Sequence, residues 1–159
     1  MNLILSKAVI YFNLPLYIDN VGTLLAGALG GVLPGMTVGF CTNVLGSISL
    51  PISLYYGVLS VIIGWLAASF SCKGMFKNIK GILLASGGFV LVGGAVGSLM
   101  TWFLYGGNIG GIAEPYALAL YHQGMPAILS QFTVDILIDI PDKLITVFIV
   151  CGILKLHPH

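Results

Sequence analysis

The chain has 159 residues, of which 58% are hydrophobic and 7% charged, with a net charge of +1 and a mean hydropathy of +1.06. Water-soluble domains carry charge on about a quarter of their residues, so this composition excludes a water-solvated surface and calls for lipid. It has neither Arg nor a basic face, which excludes a nucleic-acid partner.

A spanning helix takes roughly 20 apolar residues, so the length admits one compact membrane domain, residues 1–159, of about six helices and no soluble catalytic domain. The start does not read as a cleavable signal, because Lys7 follows the apolar run and no small-residue cleavage site closes it. Asn13-Leu-Pro15 and Asp19-Asn20 mark a first break, since Pro disfavours helix before it and a carboxylate avoids the bilayer centre. Pro34-Gly35 and Ser47–Pro51 mark two more. The spacing predicts spans near 2–16, 19–33, 35–49 and 52–71. The basic loop of Lys73, Lys77 and Lys80 follows, then a span at 81–105 and a glycine turn at 106–111. Residues 115–138 carry His122, Gln123, Ser130, Gln131 and Asp135. They fit an external amphipathic segment, a re-entrant one or an additional span. The last span lies at 140–156.

Lysines in short loops stay cytoplasmic. With Lys73–Lys80 inside, four spans return Lys7 to the inside, one span puts 106–114 outside, and Lys155 ends inside. All five acidic residues (Asp19, Glu114, Asp135, Asp139 and Asp142) then lie on the outer side. The expectation is an all-α integral protein of the cell membrane, multi-pass, with both ends cytoplasmic.

Gly27, Gly31, Gly35 and Gly39 recur every four residues, and Gly93 and Gly97 repeat the spacing. Such rows let membrane helices approach closely. They serve packing within the chain or a groove for a partner subunit. Cys41, Cys72 and Cys151 have no pairing pattern and read as free thiols; neither they nor His122, His157 and His159 make a metal motif. No cofactor is implied.

Asp135, Asp139 and Asp142 fall at i, i+4 and i+7, but Pro141 is expected to end one helix and start the next. Asp139 or Asp142 would then be a cap, with Asp142 paired to Lys143. The alternative is a polar contact for a solute at the outer mouth, shared with Asp19 and Asn20, with Asn43 and Thr42 deeper down. Tyr55, Tyr56, Trp65 and Trp102 read as interfacial anchors ahead of a stacking box. The carboxylates lack His or Cys partners and a nucleophile motif, so an enzyme is not expected.

Leu14-Pro-Leu-Tyr-Ile-Asp19-Asn-Val-Gly-Thr23, Gly31-Val-Leu-Pro-Gly-Met-Thr-Val-Gly39, Thr42-Asn43-Val-Leu-Gly46 and Asp139-Ile-Pro-Asp142-Lys143-Leu-Ile-Thr146 together carry a resemblance. They resemble the substrate-binding S components of energy-coupling-factor (ECF) transporters, across nearly the whole chain. The resemblance implies a six-helix subunit that captures a vitamin or other small nutrient. It also implies a transmembrane coupling subunit and cytoplasmic ATPases as partners, since the chain has no P-loop. The family's Ala-x-x-x-Ala docking pattern is not evident in residues 1–16. Site residues expected on this reading are Asp19, Asn20, Asn43, Asp139, Asp142 and Lys143. The alternative is a membrane sensory module attached to a kinase, phosphatase or cyclase; in that case the reading frame continues past His159.

Overall fold

The computed structural model describes residues 1–12, 14–106 and 113–156, and among them it is helical with no strand. The helices are α1 (Asn2–Tyr11), α2 (Val21–Gly30), α3 (Val32–Gly46), α4 (Ser53–Cys72), α5 (Ile79–Val90), α6 (Gly97–Tyr105), α7 (Glu114–His122) and α8 (Ala127–Leu156). A π-helical turn, Leu91–Val96, joins α5 to α6 in one rod of 27 residues. This rod and α4, of 20 residues, are long and apolar enough to cross a membrane. Outside the described residues lie Asn13 of the first expected break, most of the 106–111 turn, and His157 and His159.

Glycine decides how α2, α3 and α4 pack. A Cβ at Gly27 would lie 2.6 Å from the Gly64 carbonyl oxygen, one at Gly35 would lie 2.7 Å from the same atom, and one at Gly39 would lie 2.5 Å from that of Ser60. No side chain fits, so three backbones run in contact. α3 is antiparallel to its two neighbours, because Thr23 and Ser60 lie level with Gly39, and Gly27 and Gly64 with Gly35. Gly31 does not share this role. It has open space around it and a φ of 88°, so it serves the turn between α2 and α3. Gly97 also departs from the expected close contact, with Leu59 Cδ1 at an ordinary 3.5 Å.

The apolar core gathers Leu24, Ile63, Ala67, Phe76, Phe89, Val147 and Val150 near the end that carries Lys73–Lys80. A second cluster, Ala113, Ala117, Val134 and Ile138, packs α7 along the first half of α8. Outside these cores the surface is apolar: Leu33 is 76%, Ile48 81% and Phe103 83% exposed.

Two sequence expectations fail on backbone grounds. First, α8 runs unbroken through Pro141 for 30 residues, about 45 Å. Pro141 removes the one donor that would bond the Leu137 carbonyl; burial of Ile138 and Asp139 before it and of Asp142, Thr146 and Val147 after it holds the helix together. Residues 127–138 and 140–156 are therefore one helix, with α7 folded back on it, and Asp142 is no helix cap. Second, within the expected span 2–16 the helix is Asn2–Tyr11, 10 residues or about 15 Å, half the hydrocarbon thickness. Asn2 ties its start to the far end of the bundle from Lys73–Lys80. Its Nδ2 donates to Thr23 Oγ1 (2.9 Å) and Thr42 Oγ1 (3.1 Å), and its Oδ1 accepts from Gly22 N–H. The expected crossing that put Lys7 beside the basic loop is absent.

Candidate functional site

The linker between α1 and α2 is not helical from Leu14 to Asn20, and its backbone needs partners. Asp142 supplies two. Its Oδ1 accepts from the N–H groups of Tyr17 (2.9 Å) and Ile18 (2.7 Å), at the point where Ile18 takes a φ of 41°. Its Oδ2 takes the Lys143 ammonium at 2.6 Å. One turn earlier on the helix, Asp139 Oδ1 lies 3.1 Å from the same ammonium. All three side chains are almost wholly buried, with Asp142 at 0% and Lys143 at 2% exposure.

This cluster is the wall of a cavity of about 650 Å³. Asp19, Asn20, Asn43, Asp139 and Lys143 line it, so the structure brings five of the six predicted residues together. Asp142 stands behind them and holds the linker in place. Asn20 donates to Asp19 Oδ1 at 2.6 Å, and Asn43 donates to Ser60 Oγ at 2.6 Å and to the Gly39 carbonyl. Asn43 thus bridges helices and faces the cavity at once. Asp19 lies outside the helices; burial holds its carboxyl above the usual range, opposed by the nearby Lys143 charge.

Several lining residues escaped the sequence reading. Gln131 Nε2 donates to both carboxylate oxygens of Asp135 at 2.9 Å. Tyr56, read as an interfacial anchor, turns inward and its hydroxyl bonds Thr101 Oγ1. Ser98 and Glu114 complete the polar wall. The i, i+4 spacing of Gln131 and Asp135 was the available signal.

Gly93 lies in the π-helical turn, where a helix spreads to admit a neighbour. A Cβ there would stand 2.5 Å from Asp139 Oδ2 and 3.1 Å from Lys143 Cε. Asp139 Oδ2 is buried and has no hydrogen-bond partner. Gly93→Ala should push Asp139 off the ammonium and lower the melting temperature, whereas Gly87→Ala, with open space around it, should not. Equal melting temperatures for the two variants would show that the wall tolerates a methyl group.

Compared with protein-family models, curated proteins and solved structures, the chain matches none of them.

Proposed function

We propose that the chain is a multi-pass subunit of the cell membrane that binds a small solute in this cavity. The observation that carries the reading is the cavity itself, about 650 Å³ of space with a polar wall inside an otherwise apolar protein. Binding sites for small molecules occupy roughly 300–1,000 Å³ and combine apolar walls with a few polar groups. Ionisable groups in membrane segments are costly and serve function by default. The exposed Leu33, Leu84 and Phe103 suit lipid contact.

The finer reading rests on the resemblance of Leu14–Thr23, Gly31–Gly39 and Asp139–Thr146 to ECF S components. On it, the solute is a nutrient such as a vitamin, taken up from outside, and the chemistry of ATP is left to a coupling subunit and ATPases. The chain itself is not an enzyme on this reading. On this reading α4, the α5–α6 rod and α8 cross the membrane, the shorter α2 and α3 pack beside α4, and α1 and α7 lie at the solute side. A sensory module reading the same solute for an attached signalling domain is the second reading; the buried Asp142–linker clamp, which could couple solute to helix position, favours it. Purification in mild detergent followed by native mass spectrometry separates the two. Transport predicts ATPase and coupling subunits with the ligand. A ligand without those subunits rejects transport, and a protein that neither retains nor binds a small molecule rejects both.

The sidedness is testable with single cysteines in a Cys-free background. Lys77→Cys should react from the cytoplasm and Ile48→Cys from outside, since the loops carrying them sit at opposite ends of α4. Labelling of both by an impermeant reagent from one side would reject that topology.

A further inference from the structure

The cavity has a charge sign. The chain has five acidic residues, and four of them, Asp19, Glu114, Asp135 and Asp139, line it, with Asp142 directly behind. Of the six basic side chains, Lys143 lines it. That ammonium is already committed between Asp139 Oδ1 and Asp142 Oδ2. The formal balance among the lining groups is therefore negative. Independently of the count, Asp139 is 3% exposed, lines the cavity and has an oxygen without a partner. A buried carboxylate oxygen in that condition lacks a hydrogen-bond donor.

We infer that the cavity selects a small organic cation, with its charged nitrogen at the partnerless oxygen of Asp139, Asp19 and Asp135 adding to the charge of the wall, and its apolar body against Tyr56, Leu59 and Ile63. This rests on the solute-binding reading and narrows it to a substrate class. An anionic solute would meet four carboxylates and find no free ammonium among the described lining residues. A neutral solute would leave the negative charge uncompensated. A bare metal ion does not suit a wall with Leu59 and Ile63 in a space this large, and no group of three potential metal ligands occurs among the described residues.

Three probes with one ring system and different charge test the inference on the purified full chain at pH 7: tryptamine, indole-3-ethanol and indole-3-acetate. Tryptamine should bind at least about tenfold more tightly than the other two, the factor expected of a charge-assisted hydrogen bond. Asp19→Asn and Asp135→Asn should each shrink that preference while melting within a few degrees of the parent. Equal or tighter binding of the alcohol or the acid overturns the cation inference. So does a molecule retained from host membranes that has no basic nitrogen, or that has the mass of a phospholipid; the solute reading then survives the first of these. No probe bound and no molecule retained overturns both.

Discussion

Replacing Lys143 by Met should be the most damaging single change to the stability of the bundle. It removes the ammonium shared by Asp139 and Asp142 and leaves two buried carboxylates without their counter-charge. Breaking a buried ion pair from one side costs about 3–5 kcal/mol, much of the stability a domain of this size possesses. The two acids are not equivalent. Asp139→Asn in the Lys143→Met background should recover at least about 1 kcal/mol, because it neutralises one orphaned charge. Asp142→Asn should recover less, because Asp142 also accepts from the Tyr17 and Ile18 N–H groups, and the amide is a weaker acceptor. Thermal unfolding of the single and double variants in one detergent measures this. A Lys143→Met protein as stable as the parent would mean that the carboxylates are protonated and the cluster is not ionic.

The second large effect belongs to the glycine contact. Gly64→Leu should cost about 3 kcal/mol, the upper part of the usual range for overpacking. Its side chain meets the Gly35 carbonyl and the Met36 N–H, which are backbone atoms that cannot turn aside. Gly152→Leu provides the control, since nothing lies within 4 Å of a Cβ there. Both substitutions add the same apolar bulk and the same gain in helix propensity, so a shared drop in melting temperature would point to the added bulk itself instead of the contact. A drop confined to Gly64→Leu would establish the backbone-to-backbone approach.

How far the sequence could be read depended on the kind of signal. Gly27, Gly35 and Gly39 announced close packing because a four-residue spacing is a local property of a helix. The same spacing could not separate Gly31, whose φ of 88° belongs to a turn, from its neighbours in the row. The meeting of Asp19 with Asp139 and Lys143 was legible in part. Few ionic groups exist in the chain, and charges in an apolar protein must find each other or water. What the spacing could not carry was the role of Asp142, whose partners are backbone groups 124 and 125 residues away. Asn2 was illegible for the same reason, since its bonds to Thr23 and Thr42 bridge separate helices. Pro141 misled because a proline rule describes an isolated helix. Here one lost hydrogen bond is outweighed by packing on both sides of it, and the helix persists. Tyr56 and Trp65 show the limit for aromatics: residues nine apart on α4, one lines the cavity and the other is 49% exposed.

The claim that the cavity is a solute site is tested most directly by filling it without disturbing the fold. Gly97 lines the cavity, and a Cβ there meets Leu59 Cδ1 at 3.5 Å and the Val92 carbonyl oxygen at 4.0 Å, both ordinary contacts. Gly97→Leu can therefore extend into the cavity without forcing any backbone apart. Parent and variant would be extracted from the same membranes in mild detergent and compared by native mass spectrometry, with melting temperature recorded alongside. The prediction is a small molecule retained by the parent and lost from Gly97→Leu, at an equal or higher melting temperature. A folded variant that retains the same molecule as the parent, or a parent that carries none and binds none of the three indole probes, would contradict it.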